Sequence, residues 1–141
     1  MNFLSSLHNK SLGLLLIRIA LGIVFIYHGW AKVSDIDTFI ARFATLDINA
    51  FFTYVVAYVE LIGGILMILG VRVREVALLF VVTMLVAIYK VHLGKEFGGM
   101  EYQVTLLLAS LAVIFTGAGK YSLLSEKRNC GMCKDGTCAC K

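Results

Sequence analysis

The chain has no proline and few charged residues. Of its 141 residues, 16% are charged, whereas about a quarter are charged in a typical soluble domain. Hydrophobic residues make up 60% of the chain, and the mean hydropathy is +0.87. The shortage of charge therefore excludes an ordinary soluble domain and indicates an integral membrane protein, in contact with the lipid bilayer, whose length allows one domain.

Nucleic-acid-binding motifs are also absent, although the formal net charge is +4. The basic residues lie mostly in predicted loops and in the tail, so they indicate membrane orientation and not a nucleic-acid surface. They are concentrated on the side of the termini, which predicts a multi-pass protein of the inner membrane with both termini in the cytoplasm. The basic residues on that side are Lys10, Arg72, Arg74, Lys120, Lys127, Arg128, Lys134 and Lys141.

Cysteine is absent from residues 1–129 and then occurs four times in the last dozen residues. In a reducing cytoplasm such a cluster more often binds a metal or exchanges thiols than forms a structural disulfide framework. The two pairs are too close together for an ordinary zinc finger, so a compact Zn²⁺ or Cu(I) site, an iron–sulfur centre, a redox dithiol or a solvated tail without chemistry stay open. The predicted metal ligands follow the pattern C-x2-C-x4-C-x-C and are Cys130, Cys133, Cys138 and Cys140.

Four apolar runs are long enough to be membrane helices, and they occupy residues 12–29, 51–70, 76–92 and 101–119. The first run is interrupted by Arg18 and has no convincing cleavage site after it, so we reject a signal peptide. A short connection at residues 71–75 predicts an antiparallel hairpin, and helical apolar spacing at residues 34–50 predicts a helix in the interface. The predicted fold is all-α, an integral membrane four-helix bundle at residues 1–124 with a short cysteine-rich tail at 125–141.

The second apolar run carries one carboxylate, Glu60, near its middle. A bare charge there costs several kcal/mol, so Glu60 needs a partner or a proton, and such residues are usually functional. Gly63 and Gly64 follow it closely, so another helix can pack beside the acid. Arg18 lies at a depth from which its guanidinium can reach, and we predict an Arg18–Glu60 ion pair. The alternative is a purely structural glutamate that holds the bundle.

A second group of polar residues falls at the opposite ends of the predicted helices. His28, Lys32, Lys90, His92 and Glu101 would line one outward-facing pocket. The two histidines approach the same face, so a heme between them is one possibility. The alternatives are an interfacial histidine at His28, and helix-end residues at Lys90 and His92 whose side chains extend to the membrane surface. Five tyrosines fit an aromatic belt better than a catalytic set, and they are Tyr27, Tyr54, Tyr58, Tyr89 and Tyr102.

Three motifs occur in order along the chain: R-x3-G-x5-HG-x2-K from Arg18, E-x2-GG from Glu60 and GxGxYSL from Gly117. This set resembles the DoxX family of small four-helix membrane proteins over about residues 11–124. The resemblance implies association with thiosulfate:quinone oxidoreductase or terminal-oxidase assemblies, or with membrane complexes that handle thiols and oxidative stress. The family often has an acid where Leu124 stands, so we assign no role there. The resemblance reaches Arg18, His28, Lys32, Glu60 and Glu101.

Two classes of function follow from the residues and the resemblance. In the first, the chain is a membrane oxidoreductase component that binds and protonates a quinone-like or sulfur-containing substrate between its helices. In the second, it is a non-catalytic subunit that recruits soluble redox enzymes through its cytoplasmic face; transport is a weaker third and would require a homo-oligomer. For the first class we predict catalytic roles for Arg18, His28, Glu60 and Glu101, and quinone binding by His28, Lys32 and Glu60.

Overall fold

The structure, a computed structural model, describes residues 10–92 and 100–123. Its helices are α1 (Lys10–Ser34), α2 (Ile36–Ala44), α3 (Ala50–Leu69), α4 (Val73–Ala87) with a π-helical continuation at Ile88–His92, and α5 (Glu101–Thr116). These described residues contain five α-helices and no strand, which confirms the all-α class. The short α2 lies in the segment predicted for the interface, and the other four helices coincide with the four apolar runs. By length and composition, α1 and α3 could each cross a membrane.

Local signals explain where α3 begins and ends. The side chain of Asn49 accepts a hydrogen bond from the Phe51 amide at 3.2 Å, which caps the helix N-terminus. At the other end Gly70 has a φ of 76°, a conformation that costs glycine little. The amide of Val71 then donates to the carbonyl of Leu66 at 3.0 Å, as in a Schellman motif. The chain therefore reverses direction at once and enters α4, as the short connection predicted.

Helix α1 packs closely along α3 because glycines face each other across their contact. A Cβ atom at Gly64 would lie 2.7 Å from the carbonyl oxygen of Gly22 and 2.9 Å from the amide nitrogen of Ile26. A Cβ atom at Gly29 would lie 2.8 Å from the Cα of Leu61. These distances leave no room for a side chain, so the two backbones are in direct contact, as small residues allow in membrane helices. The close packing predicted beside Glu60 is confirmed.

The core of the bundle lies between α1, α3, α4 and α5. At its centre the rings of Phe25 and Phe80 stack with their centroids 3.6 Å apart and an interplanar angle of 8°. Gly63 makes room for Phe80, since a Cβ atom there would be 2.8 Å from its Cε1. The stacked rings join α1 to α4, and Phe80 packs against Gly63 of α3. Other buried members of this core are Leu21, Met67, Val73, Val76, Ala77, Met84, Leu106 and Val113.

Large apolar side chains also cover much of the outer surface. Leu16 is 59% exposed, Leu108 is 59% exposed and Phe115 is 81% exposed, although all three lie within long helices. An aqueous surface rarely carries so much contiguous apolar area, whereas a bilayer covers it favourably. Exposed aromatic residues lie near both ends of the bundle, as in aromatic belts. Phe115 and Tyr121 lie at the end that carries the α3–α4 turn, and the opposite end carries Tyr27, Trp30, Phe51, Phe52, Tyr54 and Tyr89.

Candidate functional site

Arg18 is fully buried in α1, and its guanidinium is surrounded by backbone carbonyls. Its Nε donates to the carbonyl of Met67 at 3.1 Å, and Nη2 donates to that of Ile68 at 3.0 Å. Its Nη1 donates to the carbonyls of Ala118 at 2.6 Å and Tyr121 at 2.9 Å. The last carbonyls of a helix lack partners within the helix and carry partial negative charge. The cation is therefore stabilised by the C-terminus of α3 and by the segment after α5.

The segment after α5 is shaped around this guanidinium. Gly117 and Gly119 have φ angles of 77° and 73°, which turn the chain so that the carbonyls between and after them face Arg18. The amide of Leu123 then donates to the carbonyl of Leu69 at 3.2 Å. The GxGxYSL motif thus has a structural explanation, since its glycines bring carbonyl groups to a buried arginine. It also holds residues 118–123 against the end of α3.

Glu60 is only 3% exposed, and the Nζ of Lys32 donates to its Oε2. The predicted Arg18–Glu60 pair is therefore wrong, because Arg18 lies near the opposite end of α1 with carbonyl partners of its own. The ammonium of Lys32 also lies 5.9 Å from the centroid of the Phe39 ring, within range of a cation–π interaction. The Lys32–Glu60 ion pair connects α1 to α3 and touches α2.

A second polar pair lies beside the first. The Nε2 of His28 and the hydroxyl of Tyr102 are 2.9 Å apart and share a hydrogen bond whose direction depends on the histidine tautomer. One turn of α1 separates His28 from Lys32, so both side chains lie on the same face of the helix. Tyr102 was missed as a site residue, because a tyrosine at a helix end is equally typical of an aromatic belt. The pair brings the start of α5 to the site.

Both pairs line one cavity of about 600 Å³ between the helices. Its volume falls within the range of pockets that hold small molecules and cofactors. Most of the residues that line the cavity are apolar. The polar ones are the two pairs and Asp47, Thr83, Lys90 and Gln103. The apolar lining residues are Phe25, Phe43, Ile48, Phe52, Val55, Val56, Val59, Leu79, Val82, Met84, Val86, Ala87 and Leu106.

The π-helical segment lies at the end of the cavity away from the α3–α4 turn. There the Nζ of Lys90 donates to the carbonyl of Leu46, the residue before Asp47, at 3.3 Å. Asp47 has a φ of 55°, which is uncommon for a residue other than glycine. A π-helical turn in an α-helix often marks a functional site. Here it places Lys90 in contact with the connection between α2 and α3 at that end of the cavity.

The structure brings together some of the predicted site residues and not others. His28, Lys32, Glu60 and Lys90 line the same cavity, whereas Arg18 does not line it. Glu101 is exposed in the first turn of α5 and is not among the lining residues. Within residues 10–92 and 100–123, no group of three or more His, Cys, Asp or Glu side chains is placed to hold a metal ion. The side chain of His92 and the cysteines at 130, 133, 138 and 140 lie outside the described part.

Comparison with known proteins agrees with the motifs. The DoxX family model matches residues 13–93, which is more than half of the chain. The chain is also 39% identical over 113 residues to the protein of Bacillus subtilis (strain 168) named "Putative oxidoreductase CatD", covering 78% of this chain and 84% of that protein. No solved structure matches the chain. The family match, together with the apolar helices α1 and α3, identifies a membrane protein.

Proposed function

We propose that this protein, which belongs to the DoxX family, is a redox-associated membrane component that binds a quinone-type molecule in the cavity between its helices. The observation that carries the proposal is a largely apolar cavity with two hydrogen-bonded polar pairs, Lys32–Glu60 and His28–Tyr102, side by side. The name of the Bacillus subtilis relative, which describes an oxidoreductase, supports the redox assignment.

The chemistry of a quinone suits these residues. Its ring is flat and apolar, its carbonyl oxygens accept hydrogen bonds, and its reduction takes up two electrons and two protons. The ammonium of Lys32 and the hydroxyl of Tyr102 are hydrogen-bond donors, and the imidazole of His28 can exchange a proton with Tyr102 through their shared hydrogen bond. Glu60 keeps the Lys32 ammonium in place within an apolar environment.

The proposal is tested by quinone binding to the full-length protein in lipid nanodiscs. Tyr102→Phe removes one hydroxyl and keeps the ring, so we expect quinone affinity to fall about five- to tenfold, the cost of one hydrogen bond of roughly 1 to 1.5 kcal/mol. Tyr121→Phe is the matched control, because Tyr121 is 53% exposed and lies beyond α5, away from the cavity. Binding is measured by equilibrium dialysis with a benzoquinone and a naphthoquinone.

If neither quinone binds to the parent protein below millimolar concentration, the proposal fails. It also fails if the two tyrosine variants lower the affinity equally, because the loss would then be unrelated to the cavity. Turnover with a reduced thiol or sulfur donor, recorded as quinol formation, would extend the assignment from binding to catalysis.

The second candidate is a non-catalytic subunit that recruits soluble redox enzymes. It is favoured by the anchoring of the C-terminal segment, since Arg18 and Leu69 hold residues 118–123 at the end of the bundle where the tail starts. The end of α3 lies about 14 Å along the helix axis from Glu60. Quinone binding without turnover, together with a soluble redox protein that co-purifies only when the tail is present, would support this candidate.

The orientation that fits both candidates is a multi-pass protein of the inner membrane with its termini in the cytoplasm. The exposed Arg72 and Arg74 lie in the connection between α3 and α4 and at the start of α4, and Lys120 follows α5, so these basic residues lie at the end where the tail begins. The positive-inside rule assigns such an end to the cytoplasm. In this orientation the cavity lies toward the outer side, and the cysteines of the tail would be in the reducing compartment.

For the tail we propose a thiolate metal site formed by Cys130, Cys133, Cys138 and Cys140. Purified full-length protein should bind about one Zn²⁺ or Cu(I) per chain, because four thiolates complete a tetrahedral set. Replacing all four cysteines by serine should abolish binding and leave the thermal unfolding of the helices in detergent unchanged. Metal content is measured by mass spectrometry after dialysis. Equal metal content in parent and variant would contradict the site, and rapid labelling by a thiol reagent without metal would favour a redox dithiol.

A further inference from the structure

We infer that the cavity takes an amphiphilic quinone with a hydrocarbon tail, which enters from the bilayer through a gap between α3 and α4. This inference rests on the proposed function and specifies how its ligand is bound. The polar head would lie at the Lys32–Glu60 and His28–Tyr102 pairs, and the tail would lie in the gap. Three features support this route: the gap, its apolar surface and the polar bridge at the opposite end of the cavity.

Helices α3 and α4 are in close contact at Gly63, in the half of α3 nearer the turn that joins them. A Cβ atom at Gly63 would lie 2.8 Å from Cε1 of Phe80 and 3.5 Å from Cγ1 of Val76, so the two helices touch there. Farther from the turn, Val55 and Val59 of α3 and Val82 of α4 line the cavity. The facing sides of the two helices therefore form cavity wall, as expected if the helices diverge with distance from the turn.

Several of these wall residues also belong to the outer surface. Val55 is 40% exposed, Leu79 is 48% exposed, Val82 is 52% exposed and Val86 is 46% exposed, and all four line the cavity. A side chain that contacts the cavity and remains half exposed marks a place where the cavity opens to the outside. All four are apolar, so the opening faces the hydrocarbon of the bilayer and not water.

The end of the cavity near the membrane surface is bridged and carries polar lining residues, Asp47 and Lys90. The hydrogen bond from Lys90 Nζ to the carbonyl of Leu46 connects the π-helical segment to the chain between α2 and α3. Phe43 and Ile48 from that stretch line the same end with apolar side chains. A ligand that is held by polar groups at one end and exits through an apolar gap has a polar head and a long apolar tail, which is the composition of a membrane-soluble quinone.

The gap is tested by filling it with a tryptophan. Val82→Trp and Val55→Trp enlarge side chains at the gap, and Leu78→Trp and Leu85→Trp are matched controls on α4, because these leucines are 56% and 51% exposed but do not line the cavity. In nanodiscs we expect the gap variants to slow binding of a long-tailed quinone roughly tenfold or more and the controls to leave it unchanged. Binding of a tailless quinone should change much less in all four variants.

A second measurement does not depend on bulky substitutions. A quinone with a photoreactive group on its tail should label residues 52–59 and 79–86 of the parent protein, and excess untagged quinone should prevent the labelling. If the tailless quinone binds but the gap variants behave like the controls and the labelling falls elsewhere, the inference is overturned while the proposed function stands. If a photoreactive phospholipid labels the gap and quinone does not displace it, the occupant is a lipid and the inference is also overturned. If neither quinone binds, the proposed function fails first.

Discussion

Replacing Arg18 by methionine is expected to leave most of the protein molecules without a stable fold. The substitution keeps an unbranched side chain but removes the donors of four hydrogen bonds to the carbonyls of residues 67, 68, 118 and 121. Buried carbonyls without donors are costly, and bonds from a charged donor are the strongest of their kind. We expect a loss of about 3 to 5 kcal/mol, comparable to removing one partner of a buried ion pair. Thermal unfolding in detergent and the yield of membrane-inserted protein measure the loss.

Arg18→Lys should recover only part of this stability, because an ammonium lacks the planar fork that reaches carbonyls on two segments at once. Arg42→Met is the control, since Arg42 is an exposed residue of α2. Limited proteolysis should cut the chain after residue 117 more readily in the Arg18 variants, because the segment after α5 loses its anchor. If Arg18→Met unfolds at the same temperature as the parent, the arginine does not hold the two segments together.

Replacing Lys32 by methionine is expected to have the second largest effect. Glu60, which is 3% exposed, would then have no cation and would have to bury its charge alone or take up a proton, at a cost of about 3 to 5 kcal/mol. The double replacement Lys32→Met with Glu60→Gln removes both charges, and we expect it to be more stable than Lys32→Met alone. Unfolding in detergent measures stability for the parent, both single variants and the double variant.

These four proteins form a double-mutant cycle, which separates the contribution of the ion pair to stability from its contribution to ligand binding. The two single effects should not add, because each includes the penalty of leaving the other charge alone. In the same four proteins, quinone affinity should fall whenever Lys32 is absent, including in the double variant whose stability recovers. Additive losses of stability would contradict the ion pair. Full recovery of quinone binding in the double variant would show that the pair is structural and that its charges are unnecessary for the ligand.

Much of the architecture was predictable because it depends on local composition. The apolar runs predicted the positions of α1, α3, α4 and α5, and the short connection after Gly70 predicted the reversal between α3 and α4. Gly63 and Gly64 predicted close packing next to Glu60, since a helix face without side chains admits another helix. The boundaries were less accurate: α1 extends to Ser34, and α4 ends in a π-helical segment that has no sequence signal of its own.

Interhelical pairing was not predictable in the same way. Arg18 and Lys32 both lie on α1, about 21 Å apart along its axis, and either could neutralise Glu60 in principle. Which one does so depends on the axial register of two antiparallel helices, and that register is set by glycine contacts such as Gly29 against Leu61. Neither helix contains this information alone, so an estimate of depth from the ends of each run selected the wrong cation.

By itself, therefore, the sequence determined an all-helical membrane protein with a carboxylate inside an apolar helix and a cysteine-rich tail, because these properties follow from composition and spacing. The tertiary structure decided the roles of the charged residues. It assigned Arg18 to the carbonyls that a helix end leaves without partners, and it assigned Lys32 to Glu60. It also moved Tyr102 from the aromatic belt to the cavity, since only the packing of α5 beside α1 brings its hydroxyl to His28. Contacts between distant segments are the physical reason for each of these differences.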